Sequence, residues 1–163
     1  MNEILPTIYS WFDSLFSSKL ADYLWGYNCQ TQLIDNDIVY NKIGLIALGI
    51  SFLLVLAYYY WPLNHPRFNR WWSWLIIFLS SSIINLFIGY AITYRDFSNG
   101  SIGDCLMYTR DQSGQIISHL IYESDCWMFG VSNFIVSAIF FIALTFIFKW
   151  GSRNAKYSPF IKF

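Results

Sequence analysis

Residues 71–94 read WWSWLIIFLSSSIINLFIGYAITY, without a single Asp, Glu, Lys, Arg or His. Stretches 43–66 and 126–148 are likewise free of Asp, Glu, Lys and Arg. A helix rises about 1.5 Å per residue, so about 20 uncharged, mainly apolar residues reach across a hydrocarbon core of ~30 Å. Each stretch meets that length. The chain is therefore predicted to be an all-α integral membrane protein with three transmembrane helices. All 10 basic and 10 acidic residues fall in the remaining segments. A composition of 56% hydrophobic, 21% aromatic and 12% charged residues fits a membrane class. With about 65 residues in lipid, little chain is left for a separate soluble core. Zero net charge gives no global field for attracting nucleic acid.

Working outward from the spans, four segments follow: 1–42, an amphipathic helix and polar connector; 43–94, a transmembrane helical hairpin; 95–126, an extramembrane loop or hairpin; and 127–163, the third span and a basic tail. The connector between the first two spans holds Arg67 and Arg70, and the tail holds Lys149, Arg153, Lys156 and Lys162. The other two segments are mainly acidic. Lys and Arg near span ends mark the cytoplasmic side, which predicts a multi-pass protein of the inner (cell) membrane with its N-terminus outside and its C-terminus cytoplasmic. Lys42 is the one charge that dissents. Two aromatic belts are expected: Trp61, Trp71, Trp72, Trp74 and Trp150 at the cytoplasmic interface, and Tyr40, Tyr90, Tyr94 and Trp127 at the outer one. Pro62, Asn64 and Pro66 force the turn between the first two spans.

Residues 7–25, TIYSWFDSLFSSKLADYLW, read as one amphipathic helix with Ile8, Trp11, Phe12, Leu15, Phe16, Leu20, Tyr23 and Leu24 on its apolar face. Ser10, Asp13, Ser14, Ser17 and Ala21 fall on the opposite face, and Gly26 is a suitable stop. Such a helix lies in the membrane interface, packs on its own spans, or gates an oligomer through Trp11, Phe12, Leu15 and Phe16. In segment 95–126, turn signals at 98–100 and 111–114 bound two short β-rich runs, CysLeuMetTyrThr and IleIleSerHisLeuIleTyr. A hairpin across the second turn brings Cys105 towards Cys126, and an oxidising outer face makes a bridge between them the expected pairing. Cys29 is then left free, paired in place of one of them, or bridging subunits.

The clearest internal pattern is in the second span. Ser81, Asn85, Gly89 and Thr93 recur at four-residue steps, with Ser82 beside them. In lipid, such a small and polar stripe must face protein or water. It is either a close-packing seam or the lining of a pore in an oligomer. The first span has a matching set, Gly44, Ala47, Ser51 and Tyr58, and the third has Gly130, Asn133, Ser137 and Thr145. Catalysis is not expected: the spans hold no ionisable pair, and His65 and His119 have no metal-ligand partner at helical spacing. No metal and no cofactor are predicted.

The layout as a whole resembles the small multi-span membrane effectors of bacterial anti-phage abortive-infection systems of the Hailong type: an amphipathic N-terminal helix, three spans, a short cytoplasmic turn and a basic tail. The resemblance implies a homo-oligomeric, normally closed ion channel that depolarises the infected cell, under a cytoplasmic regulator (a nucleotidyltransferase or its nucleotide product). The expectation is a gated channel or pore-forming effector in the lipid bilayer. Its rivals are a non-conducting structural or accessory subunit of an envelope complex and a holin-like lysis protein.

Overall fold

The computed structural model describes residues 4–34, 38–60, 63 and 70–152. The expectations for Trp61, Pro62, Asn64, His65, Pro66, Arg67, Arg153, Lys156 and Lys162 lie outside the described residues. The chain is mostly helical. Its elements are α1 (Ile4–Ser10), a 3₁₀ turn (Asp13–Leu15), α2 (Ser18–Leu24), α3 (Val39–Tyr59), α4 (Trp71–Ser98), α5 (Asp104–Met107), strands β1 (Tyr108–Arg110) and β2 (Ile116–His119), α6 (Glu123–Phe148) and a closing 3₁₀ turn (Lys149–Gly151). Three helices, α3, α4 and α6, are long and apolar enough to cross a membrane. They extend past the charge-free stretches: α4 carries Arg95 and Asp96 in its last turn, and α6 opens on Glu123 and Asp125.

By compactness the chain forms two units, Met1–Gly44 with Leu86–Asn133, and Leu45–Asn85 with Phe134–Phe163. Both draw on all three long helices.

The first unit contains the N-terminal arm and the β-hairpin. The continuous helix expected over 7–25 does not form. Phe12 closes a tight turn onto Tyr9 O, Phe16 is extended, and Ser17 starts α2 by accepting the Leu20 N–H on its side chain. Asp13, Ser14, Ser17 and Ser18 are residues whose side chains compete for backbone groups, so this stretch is where a helix gives way most readily. Gly26, at φ 86°, ends α2 as predicted. Its N–H meets Tyr23 O, and the Tyr27 N–H meets Asp22 O, which is the paired closure of a Schellman motif.

β1 and β2 pair antiparallel, with Tyr108 opposite His119 and Thr109 opposite Ser118. The first strand is shorter than the sequence suggests because 104–107 turn into α5. That turn corrects the disulfide. α5 directs Leu106 and Met107 inward and leaves Cys105 exposed, where it bonds to Cys29. Cys126 sits in the first turns of α6, buried and reduced.

The second unit is built on an aromatic cluster of Val55, Tyr58, Tyr59, Trp74 and Phe141. Trp74 stacks on Phe78 at 5.3 Å, and both rings meet Phe141 edge-on. Trp74 is therefore a core residue and not a belt residue; so is Tyr40, wholly buried in the first unit. The indole and phenol each find a hydrogen-bond partner, Thr145 and Asp13, and this allows each ring to be buried. Trp71, Trp72, Tyr94, Trp127 and Trp150 remain exposed.

Candidate functional site

In the first unit the site is the seat of the N-terminal arm. Tyr9 of α1 is wholly buried and donates its hydroxyl to the Oδ1 of Asn133 in α6, which is also wholly buried. Its ring stacks on Tyr40 at 5.2 Å and meets Phe129 at 5.8 Å, while Phe16 stands edge-on to Phe129 at 5.6 Å. Gly44 makes room for this arm: a Cβ there would come within 3.2 Å of both Leu5 and Tyr9 side chains. Three acidic residues complete the seat. Tyr40 donates to Asp13 at 2.7 Å, the Ser17 N–H to Asp125 at 3.1 Å, and Tyr23 to Asp96 at 3.0 Å.

Burial pushes the Tyr9 phenol well above its ordinary range. Burial also pushes the Asp13 carboxyl up. The Tyr40 hydrogen bond opposes that shift and the nearby Asp22 charge adds to it.

Beneath the arm, α4 and α6 approach closely. A Cβ on Gly89 would lie 2.9 Å from Asn133, and one on Gly130 would lie 3.0 Å from the Leu86 carbonyl. Small residues on both helices permit this backbone approach. Thr93, one turn on, returns its hydroxyl to Gly89 O at 2.9 Å.

In the second unit the polar groups form a seam of a different kind. The Ser51 and Ser81 hydroxyls lie 3.4 Å apart, and Ser51 also reaches Ser137 O at 3.5 Å. Asn85 donates to Ser81 O at 3.0 Å, Ser82 to Phe78 O at 3.2 Å, and the Trp74 indole to Thr145 at 3.4 Å. Bonds of these side chains to carbonyls of their own helix lower the cost of polar groups where no water is available.

Of the stripe predicted from the sequence, Ser81, Ser82, Asn85, Gly89 and Thr93 are all buried, as are the companion sets on α3 and α6. In this conformation they face protein within one chain and line no open conduit. The gate-helix residues divide. Phe16 is buried on Phe129 and Phe12 is half-buried, but Trp11 is 68% exposed and Leu15 also points out. Ala21, expected on the polar face, is buried instead. The residue that anchors the arm, Tyr9, escaped the sequence reading because a broken helix shifts which positions share a face. The one local signal was its seven-residue spacing to Phe16.

Among the described residues no group of three His, Cys, Asp or Glu side chains gathers to hold a metal ion. His119 is exposed, between the rings of Tyr108 and Tyr122. The site consists of phenols, amides, hydroxyls and aromatic faces, suited to holding a segment in place. Fold and site together define a protein of three membrane-length helices with a docked N-terminal arm. No protein-family model matches the chain, and no curated protein or solved structure matches it.

Proposed function

We propose that the chain is a three-span integral membrane protein that works as a homo-oligomeric, normally closed channel, with residues 4–25 as the plug. In this reading α3, α4 and α6 insert in the bilayer, and the arm and hairpin stand on the outer side with the tail in the cytoplasm. The Cys29–Cys105 bridge supports that orientation, since disulfides persist in oxidising compartments.

The single observation that carries the channel reading is the hydrogen bond from Tyr9 to Asn133. A polar residue of a membrane-length helix is satisfied by a hydroxyl from a separate, N-terminal segment. Leaving a buried amide oxygen unpaired costs about 1–3 kcal/mol, so withdrawal of the arm favours entry of water at Asn133. Opening further requires the seam residues Ser81, Asn85, Gly89 and Thr93 to exchange their intramolecular contacts for water. A cytoplasmic regulator acting through the basic tail, and the cell-suicide role against phage, belong to this same reading.

A second reading, a non-conducting structural or accessory subunit of an envelope complex, is favoured by the complete burial of Ser81, Ser82, Asn85 and Thr93 inside one chain. A potential-sensitive dye in cells expressing the protein separates the two. Deletion of residues 1–25 and Tyr9→Phe are expected to depolarise the membrane where wild type does not, with insertion checked by protease protection. Variants that insert normally and leave the potential unchanged would establish the second reading and remove the first.

A further inference from the structure

We propose that the Cys29–Cys105 bridge is a redox catch that sets how far the N-terminal arm can move. This inference rests on the reading of the arm as a plug. The bridge joins the connector after α2 to α5, against which α2 packs, all within the first unit. The noncovalent contacts of the arm, Tyr9 on Asn133, Phe16 on Phe129, Ser17 on Asp125 and Tyr23 on Asp96, lie upstream of Cys29. With the bridge closed, any motion of the arm must pivot at Cys29. With it open, the pivot passes downstream of Cys29. The closed bridge ties the chain just after α2 to α5 and so limits how far α2 can move, and the open bridge removes that limit.

Two features make this a catch that can be worked. Cys105 is exposed, so its sulfur is open to attack. Gly103 is the residue that admits the partner: a Cβ at 103 would lie 2.5 Å from the Cys29 sulfur, too close for both to stay. The reductant is a dithiol, of the small-molecule or protein oxidoreductase class. Its thiolate attacks Cys105 Sγ and forms a mixed disulfide, and the Cys29–Cys105 bond breaks with its electron pair on Cys29 Sγ, which takes a proton. The second thiol of the reductant then attacks the mixed disulfide and releases the Cys105 thiol. The bridge gains two electrons and two protons, and the dithiol leaves as a disulfide. Cys126, buried in α6, takes no part.

The test uses the full chain in lipid nanodiscs and liposomes, with dithiothreitol as the dithiol. Hydrogen exchange of α2 amides is expected to rise at least ten-fold on reduction, with α3, α4 and α6 unchanged and the liposomes conducting more. Cys29→Ser with Cys105→Ser is expected to reproduce this without reductant. Gly103→Ala keeps both cysteines; after denaturation without reductant it is expected to yield three alkylatable thiols where wild type yields one. Exchange that rises with no conduction keeps the catch and removes the plug. Exchange in α2 that is unmoved by reduction overturns the catch, whatever the conductance. A bridge that still closes in Gly103→Ala overturns the role given to Gly103.

Discussion

The two compact units use polar groups in opposite ways. In the second, hydroxyls and an amide lie between apolar surfaces and bond within or between long helices: Ser51 with Ser81 and Ser137, Asn85 with Ser81, Trp74 with Thr145. Its cohesion comes from the aromatic cluster around Trp74 and Phe141. In the first, the polar groups reach across from an N-terminal arm to long helices, and the partners include carboxylates at Asp13, Asp96 and Asp125. Its cohesion is divided among hydrogen bonds, tyrosine stacking and a disulfide. A seam of back-bonded hydroxyls loses little when one member is removed, because the backbone acceptors keep their helical bonds. A docked arm loses more with each directed anchor, because each of these bonds joins it to one of the long helices. One unit is thus held mainly by packing between long helices, and the other by directed bonds to a terminal segment.

The largest expected effect breaks the second unit at its centre. Phe141→Ala removes the ring that both Trp74 and Phe78 meet edge-on. Truncations of this type cost about 3–5 kcal/mol in soluble cores, and the packing part of that loss persists in lipid, where transfer contributes less. The thermal midpoint in detergent is expected to fall steeply while limited proteolysis at the arm begins no earlier than global unfolding. Early arm cleavage would show that the units do not respond separately.

Next in size is Tyr9→Phe, which keeps the stack on Tyr40 and Phe129 and withdraws only the hydroxyl from Asn133. A buried acceptor stripped of its donor costs about 1–3 kcal/mol. About five- to 150-fold faster cleavage within 4–25 is expected, with the midpoint of global unfolding nearly constant. Ser81→Ala sharpens the contrast from the other side. Its 3.4 Å contact with Ser51 is long, and average interhelical hydrogen bonds in membranes are worth about 0.6 kcal/mol, so no measurable change in arm cleavage is expected.

These differences follow how legibly each unit is written in the sequence. The long helices announce themselves through missing charge, and three- and four-residue spacing finds the faces of α3, α4 and α6 that turn inward, down to Ser51, Ser81, Asn85, Asn133 and Ser137. Periodicity is a local signal, and these helices are regular for seven turns or so. The arm is not regular. Its break at 11–17 is set by what Asp13, Phe16 and Ser17 find far along the chain, at Tyr40, Phe129 and Asp125. The cysteine pairing failed for a related reason. A strand through Cys105 and a helical turn through Cys105 point its sulfur in different directions, and four residues carry too little pattern to choose. Aromatic residues at span ends do not reveal from sequence alone which rings face outward. Tyr40 and Trp74 are at belt positions, but their stacking and their bonds to Asp13 and Thr145 hold them in the core.

The smallest effect separates the units by pH, through Asp13. Its carboxyl titrates above its own ordinary value in the docked arm, because partial burial penalises the charge more than the Tyr40 hydrogen bond relieves it. A raised folded pKa means that the docked state binds the proton more tightly than the released one. The resulting stabilisation is complete below the ordinary carboxylate pKa, and it is lost as pH rises through the higher pKa of the docked state. Acidification from neutrality is therefore expected to raise the protection of amides 13–16, measured against the intrinsic exchange rate at each pH, as protonation reaches the docked carboxyl first. Asp13→Asn is expected to flatten this dependence while its side-chain oxygen still accepts from Tyr40. The seam of the second unit, made of hydroxyls, an amide and an indole, is expected to show no matching response. An acid-labile arm in the wild type would reverse the sign and overturn the role given to Asp13.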